Sequence, residues 1–172
     1  MILAIALLQR LWGTDYEAES QDLAELTPSK RLHTRTIRVT RPEATRRSVR
    51  DLIDQEGWDV VFARLKRGDR LTLVSGEMRL QSGDLLSVVG PLDELERATA
   101  FLGEVCEQRL DFDRSEFDYR RMFVSNPRLA GRRLKELGLP GRYGAVVTRV
   151  RRGDFELVPR GDMVLELGDQ VR

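Results

Sequence analysis

Histidine and cysteine, which build many catalytic and metal centres, are scarce in this sequence. Its 172 residues include one histidine, His33, and one cysteine, Cys106. One cysteine excludes an internal disulfide and fits a reducing compartment. One histidine leaves no His-based triad and no histidine cluster for a metal, and the sequence has no Walker-type or GxGxxG loop. We therefore expect no enzymatic activity, no cofactor and no metal site.

An excess of charge of one sign is also lacking. The 29 basic residues nearly balance 28 acidic ones, and aromatic residues make up 6% of the chain. A near-neutral chain has no overall basic field for nucleic acid or for an anionic bilayer. We expect no nucleic-acid partner. The charged fraction of 33% excludes a membrane-embedded protein for this stretch.

Long apolar runs are missing as well. Ile2 to Leu8 is apolar but stops at Gln9-Arg10, well short of the roughly 20 residues that cross a bilayer. No positive charge precedes this run and no small-residue cleavage site follows it, so a signal peptide is disfavoured. Two interpretations of residues 1–12 stay open: a helix that packs on the domain, or the end of a membrane helix. We assign residues 1–34 to an N-terminal helical segment and linker.

The sequence does contain an internal repeat with an offset of 85 residues. The stretch 64–69, RLKRGD, returns as RVRRGD at 149–154, and 76–84 returns at 161–169. Trp58 falls opposite Tyr143 at the same offset. Such self-similarity predicts two copies of one module. We place the first copy at 35–103, a charged irregular linker at 104–117, and the second copy at 118–172.

Each copy is predicted to be a small βαβββ unit, so the fold class is α/β (α+β) with two tandem modules and a short N-terminal helix. In the first copy, Ser48 and Asp51 form a capping box and Gly57 ends the helix. Pro91 starts a closing helix that Gly103 ends. The predicted strands of this copy are 36–40, 60–65, 71–74 and 85–89.

The second copy is predicted from the same pattern. It has a strand at 122–124, a helix at 129–137 that Gly138 ends, strands at 145–150 and 155–158, and a last strand that starts near Gln170. The closing helix of the first copy has no counterpart in the sequence. We therefore expect this chain to be a piece of a longer protein.

These motifs resemble the C-terminal domain of potassium-conductance regulators, known as the TrkA-C or RCK-C module. The resemblance lies in 78–90, MRLQSGDLLSVVG, in its partial repeat 163–169, and in the helix pattern LAGRRLKEL at 129–137. Arg46 stands where the first copy should carry the glycine of that helix. Two successive modules are similar to the cytoplasmic region of the aspartate:alanine exchanger family of bacterial transport proteins.

The resemblance implies a regulatory, ligand-sensing tandem domain of a bacterial membrane transporter, either exchanger-like or related to potassium and cation transport. The chain would then lie at the cytoplasmic face of the inner membrane, beside the membrane domain of the same transporter, and form a homodimer. The alternative is a purely structural dimerisation module without a ligand.

A basic cluster near the start of each first helix is the candidate binding site. Helix N-termini with guanidinium groups suit an anion such as a nucleotide phosphate or a carboxylate. Related modules bind a cyclic dinucleotide, which the resemblance extends to this chain. The alternative is a solvated basic face, and the asparagine in the set could instead cap the turn before Pro127. The candidate residues are Arg46, Arg47, Arg50, Asn126, Arg128, Arg132 and Arg133.

The remaining conspicuous residues are given structural roles. The Gly-Asp pairs at 68–69 and 83–84 are predicted turns. Arg64 and Arg149 are expected at a strand edge, facing solvent, or paired with a carboxylate across the sheet. Trp58 and Tyr143 are expected to close the cores of their copies. The Cys106 thiol is expected to be buried or simply tolerated.

Overall fold

The computed structural model describes residues 31–113 and 117–172. The predicted N-terminal helix, and with it both interpretations of residues 1–12, lies outside the described residues. Residues 31–172 form one compact unit that contains both copies of the repeat. Within the described part of the chain, no helix is long and apolar enough to cross a membrane.

The first copy is a five-stranded antiparallel sheet with two α-helices. The strand order is β3-β2-β4-β1-β5, so the strand that precedes the closing helix lies in the middle of the sheet. A short 3-10 helix at Pro42–Thr45 follows the first strand. The elements are β1 (His33–Val39), α1 (Val49–Glu56), β2 (Val61–Arg67), β3 (Arg70–Leu73), β4 (Leu85–Gly90), α2 (Leu92–Leu102) and β5 (Gly103–Cys106).

The helix ends of the first copy lie at the predicted residues, although of the predicted Ser48–Asp51 capping box only the bond from the Asp51 N–H to the Ser48 hydroxyl forms. The Ser48 hydroxyl accepts a hydrogen bond from the Asp51 backbone N–H at 3.2 Å, which satisfies one of the free donors at the start of α1. Gly57 ends α1 in the left-handed conformation, at φ 64°. Pro91 precedes α2, and Gly103 follows it. Local sequence chemistry therefore determines where both helices begin and end.

The core of the first copy lies between one face of the sheet and the two helices. Trp58 is buried in it, as predicted, and its ring meets the Phe101 ring edge-on, with the ring centroids 5.3 Å apart. Removing such side chains from water is the main source of stability in a domain of this size. The buried members include Ile37, Val39, Val49, Leu52, Phe62, Leu65, Leu86, Val88, Leu95, Ala98 and Leu102.

The second copy is a smaller four-stranded antiparallel sheet with the order β6-β9-β7-β8. Its own core is a cluster around Val124, Leu137 and Leu165. The two antiparallel sheets with few helices confirm the α+β fold of two tandem modules. The elements are β6 (Met122–Phe123), a 3-10 helix (Leu134–Leu137), α3 (Leu139–Tyr143), β7 (Val150–Arg152), β8 (Phe155–Leu157) and β9 (Gln170–Val171).

Three predictions for the second copy are wrong. The helix predicted at 129–137 is reduced to the 3-10 helix at its end, because Gly131 has a φ of 80° and its N–H donates to the Leu165 carbonyl at 2.9 Å. This hydrogen bond to a distant residue of the same chain takes the place of an α-helical turn. The strand predicted at 145–150 begins only at Val150. Tyr143 does not close the core, since 70% of it is exposed.

Residues 104–113 of the predicted linker are also more ordered than predicted. The first of these residues belong to β5, which pairs with β1 through Thr36 and Cys106. The side chain of Leu110 is fully buried against Leu71 and Leu85, on the sheet face opposite the helices. The segment therefore covers part of the second face of the first sheet.

The side chain of Arg64 holds this covering segment in place. The residue lies in β2, between β3 and β4, and it is buried, so the predicted edge or solvent-facing position is wrong. Its guanidinium donates to the carbonyls of Leu110 and Asp113 at 2.7 Å each, and to that of Phe117 at 3.2 Å. A buried cation thus organises the chain that leads from the first copy to the second.

Candidate functional site

An arginine–aspartate ion pair with a buried carboxylate occurs at the same place in both copies. Arg67 donates two hydrogen bonds to the Asp84 carboxylate, at 2.8 and 2.7 Å. Arg152 donates two to Asp169, at 2.8 Å each. Each aspartate is 1% exposed. The bidentate geometry is the strong form of this ion pair and fixes the two side chains relative to each other.

These pairs clamp the turn before the last strand. Asp84 also accepts from the Gln81 N–H at 2.7 Å, and Asp169 from the Glu166 N–H at 2.9 Å. The hydrogen bond from Arg152 lowers the pKa of Asp169, and the same contact raises the pKa of Arg152. The predicted Gly-Asp turns are confirmed, but the sequence analysis missed their arginine partners. The signal was available, because arginine recurs at both 67 and 152.

The two copies contact each other through polar and apolar groups. Glu156 of the second copy accepts a hydrogen bond from the Leu32 N–H at 3.0 Å. Arg149 donates to the Thr34 hydroxyl at 3.1 Å and to Glu156 at 3.4 Å, so the predicted carboxylate partner of Arg149 is present. Val158 packs with Leu32 and with Val89 of β4. The second copy therefore rests on the second face of the first sheet.

A cavity of about 820 Å³ lies between these two parts of the chain. Its wall on the first copy comes from the sheet face opposite the helices and includes Ala63, Ser87 and Val89. The rest of its lining comes from the second copy and the segment that precedes it. Volumes of this size accommodate small organic ligands.

Three predicted site residues meet at this cavity: Asn126, Arg128 and Arg132, here called the polar rim. The Asn126 side-chain oxygen accepts from the Arg128 N–H at 3.0 Å and so caps the turn that follows Pro127. Arg132 donates to the Glu136 carbonyl at 3.2 Å. All three residues are exposed.

The other four predicted residues do not line the cavity. Arg133 caps the 3-10 helix of the second copy, where its backbone N–H donates to Glu136 at 3.4 Å. Arg46, Arg47 and Arg50 are exposed on the first copy, and Arg50 forms an ion pair with Glu77 at 2.7 Å. The basic cluster of the first copy and that of the second therefore do not line one common site.

Further arginines that the sequence analysis missed as site residues line the same cavity. They are Arg142, Arg149 and Arg172, and the Arg172 guanidinium lies 4.2 Å from the centroid of the Tyr119 ring. Burial lowers the pKa of Arg149, an effect that Glu156 opposes and Arg172 reinforces. These residues come from distant parts of the second copy, so no local motif could have grouped them. Together with the rim they give the cavity a cationic character.

Apolar side chains of the second copy form the floor of the cavity. We call this floor the apolar groove. Met122 in the groove is 60% exposed, whereas its counterpart in the first copy, Ile37, is fully buried. In the same way, Tyr143 is 70% exposed, whereas its counterpart in the first copy, Trp58, is 5% exposed. The groove consists of Met122, Leu134, Leu137, Tyr143 and Val171.

Residues 31–113 and 117–172 contain no group of three or more His, Cys, Asp or Glu side chains arranged to hold a metal ion. The cavity lining combines seven arginines and one amide with two aspartates, Asp111 and Asp118, and with apolar walls. This chemistry suits reversible binding of an anion with an apolar portion, because arginine presents paired donors to phosphate or carboxylate oxygens.

The fold and the site define a duplicated α+β module with a cavity between its copies. The model of the TrkA-C domain family matches residues 35–103 and 119–172, and the chain belongs to this family.

Several curated relatives are named as transporters. One from Geobacter sulfurreducens is 53% identical over the whole of this chain, and one from Symbiobacterium thermophilum is 51% identical. The chain spans 32% of the length of each of these relatives. A solved structure described as an RCK domain with cda is 21% identical, with a TM-score of 0.38, and covers 41% of this chain and 97% of that one.

Proposed function

We propose that this chain is the regulatory part of a bacterial membrane transporter, and that its paired TrkA-C modules sense a small anionic ligand. The transporter names of the relatives support this proposal, as does the family of the module. In this proposal the membrane domain belongs to the same polypeptide, and the chain lies at the cytoplasmic face of the inner membrane. The aspartate:alanine exchanger type is the transporter class that we favour, with potassium or cation transport as the alternative.

The polar rim at the mouth of a cavity shared by both copies is the observation that carries the sensing proposal. A ligand that contacts the rim and the first copy's wall binds one relative arrangement of the copies better than others. It therefore shifts the population towards that arrangement, and an attached membrane domain responds to the shift. The family offers no catalytic role, and the proposal assigns none.

The repeat supports the second copy as the binding copy. At the offset of 85, Arg128 corresponds to Glu43 and Arg132 to Arg47. The first copy thus carries a carboxylate where the second carries a guanidinium. An anion is repelled by the former and attracted by the latter, so the two copies differ in their suitability for a negatively charged ligand.

Thermal unfolding of the purified chain against a ligand panel tests this proposal. The panel contains cyclic dinucleotides, adenine nucleotides, aspartate, alanine and dicarboxylates. A ligand at about one hundred times its dissociation constant adds roughly 2.7 kcal/mol, which corresponds to a shift of a few degrees. Arg128→Glu, which installs the first copy's residue, should abolish the shift. Arg132→Ala should also abolish the shift. Its matched control is Arg47→Ala, the same change at the corresponding position of the first copy, which should leave the shift unchanged.

The absence of any shift in a folded chain would contradict ligand sensing. The chain would then be better explained as an assembly module that holds two transporter subunits together. We propose a homodimer under either function, and sedimentation analysis of the same preparation measures it directly. A monomer at all accessible concentrations, combined with no ligand response, would refute both functions.

A further inference from the structure

The junction between the two copies has two sides that correspond to each other in the repeat. At the offset of 85, Arg149 corresponds to Arg64. Each of these arginines donates to the segment through which the chain enters the other copy. Arg64 donates to the Phe117 carbonyl at 3.2 Å, and Arg149 donates to the Thr34 hydroxyl at 3.1 Å. We call these contacts the Arg64 side and the Arg149 side of the junction.

The correspondence extends to the neighbours of the two arginines. Leu32 corresponds to Phe117, and Glu156 corresponds to Leu71. On the Arg64 side, Phe117 packs against the apolar cluster that contains Leu71. On the Arg149 side, the Leu32 N–H donates to the Glu156 carboxylate at 3.0 Å. The same two positions therefore meet on both sides of the junction, but an apolar contact on one side is replaced by a polar contact on the other.

The two sides also differ in burial and in distance. Arg64 is 8% exposed, and it donates to the carbonyls of Leu110 and Asp113 at 2.7 Å each. The side chains of Arg149 and Glu156 are 20% and 33% exposed, and their nearest nitrogen and oxygen atoms are 3.4 Å apart. A partly exposed ion pair stabilises little, whereas opening the other side would leave a buried cation without its acceptors. The Arg149 side is therefore the side that opens more readily.

Opening the Arg149 side would change the cavity. Thr34 and Arg149 both line it, one on each copy, so their hydrogen bond connects the two cavity walls. Without that bond the walls can move apart, while the contacts of Arg64 still hold the segment that joins the copies. Closure of a cavity about a hinge is a common way for two parts of a chain to move relative to each other.

We propose that Arg149, Glu156 and Thr34 form a latch that controls the opening of the cavity, with the Arg64 side as the hinge. The contacts of Glu156 with Arg149 and with the Leu32 N–H place this carboxylate at the centre of the latch. The latch concerns how the cavity opens and not what it binds. It therefore stands whether or not the chain senses a ligand.

The first test compares two backbone N–H groups in the unmodified chain by amide hydrogen exchange. The Leu32 N–H, which donates to Glu156, reports on the latch. The Leu110 N–H donates to the Thr36 hydroxyl at 3.5 Å and belongs to a fully buried residue whose carbonyl Arg64 holds, so it reports on the hinge. We expect the protection factor of the Leu32 N–H to be lower by about tenfold or more. Equal protection would mean that both sides open together and would overturn the proposal.

The second test is Arg149→Met. Glu156 remains in place as the acceptor of the Leu32 N–H, so faster exchange of that group must come from opening of the latch. We expect the protection factor of Leu32 to fall by about fivefold or more, and that of Leu110 to change by less than about twofold. An unchanged Leu32, or an equal loss at Leu32 and Leu110, would contradict a latch that opens separately from the hinge.

The matched control is Arg160→Met, the same change at an ion pair outside the cavity. The Arg160 and Asp162 side chains are 69% and 66% exposed and 3.6 Å apart, so neither protection factor should change. A response at Leu32 equal to that of Arg149→Met would show that loss of any arginine has this effect, and would overturn the proposal.

The third test makes the same change at the hinge. Arg64→Met should reduce the protection of both Leu32 and Leu110, because it removes the contacts that hold the joining segment. A loss at Leu32 alone would overturn the assignment of the hinge. If this variant does not fold, the unmodified chain and Arg149→Met still decide the proposal. A failure of the ligand panel would refute sensing and would leave these exchange results unchanged.

Discussion

The ion pair between Arg67 and the buried carboxylate of Asp84 allows a quantitative prediction. In the change Asp84→Asn the size of the side chain is kept, but one carboxylate oxygen becomes an NH2 group. The carboxylate accepts three hydrogen bonds, two from Arg67 at 2.8 and 2.7 Å and one from the Gln81 N–H at 2.7 Å. Both oxygens are used, so an amide in either orientation points a donor at another donor.

The expected loss follows from these contacts. One charge-assisted hydrogen bond is worth about 1.5–3 kcal/mol. The Arg67 side chain is 40% exposed, so water solvates it after the change and the lost ion pair adds only about 0–1 kcal/mol. We therefore expect Asp84→Asn to reduce the free energy of unfolding by about 1.5–4 kcal/mol. With a urea dependence of roughly 2 kcal/mol per molar, the midpoint falls by about 1–2 M.

Equilibrium urea unfolding, followed by tryptophan fluorescence and by circular dichroism, measures this loss. Of the two tryptophans, Trp58 is buried in the first core and reports on that copy, and Trp12→Phe in all proteins compared removes the other signal. The matched control is Glu77→Gln, which removes the ion pair with Arg50. The Arg50 and Glu77 side chains are 64% and 76% exposed, so the free energy of unfolding should fall by only about 0–1 kcal/mol. Equal losses for Asp84→Asn and Glu77→Gln would refute the reasoning that burial makes the first pair stabilising.

Two other predictions concern acid stability and backbone strain. Because Arg152 lowers the pKa of Asp169, the pair contributes stability above the unfolded pKa of about 3.9, and this contribution is lost as the pH falls through the lower folded pKa. The stability difference between the unmodified chain and Asp169→Asn should therefore be large at neutral pH and vanish in acid; a constant difference in urea titrations at several pH values would contradict this. Gly103→Ala should destabilise the chain far more than Gly57→Ala. A Cβ at Gly103 would meet the Arg38 carbonyl at 2.2 Å, whereas one at Gly57 meets nothing within 4 Å, so the latter should cost only the roughly 1–2 kcal/mol of a left-handed conformation. Similar melting temperatures for the two variants would contradict the role of close approach.

The sequence was most informative where structure is set locally. Ser48, Gly57 and Pro91 each act on their nearest neighbours, and the predicted limits of α1 and α2 agree with the structure. In the second copy the repeat correctly predicted the turns, but not the first helix. Gly83 and Gly168 both adopt a φ of 90°, and Gly68 and Gly153 lie at 58° and 57°. Similar turns at the same offset are what two copies of one module require.

The sequence was least informative where the outcome depends on distant contacts. Arg64 and Arg149 are counterparts in the repeat, yet Arg64 binds three carbonyls of the following segment, while Arg149 binds Glu156 and a threonine of the other copy. Their surroundings differ because different segments of the polypeptide pack beside the two arginines. Tyr143 fails to repeat the burial of Trp58 for a similar reason, since burial depends on what lies across the core. Neither the contacts of these arginines nor the exposure of Tyr143 can be predicted from local periodicity.

The two copies differ at corresponding positions. The first copy has a helix over its apolar floor and a carboxylate, Glu43, at its rim. The second has an open floor and the guanidinium of Arg128 at the same rim position. A closed core stabilises the first copy without help, and its mixed rim charges do not select an anion. In the proposed sensing role, the basic rim of the second copy would therefore attract an anionic ligand that the first copy would not, and the ligand would shift the population towards the arrangement it binds best.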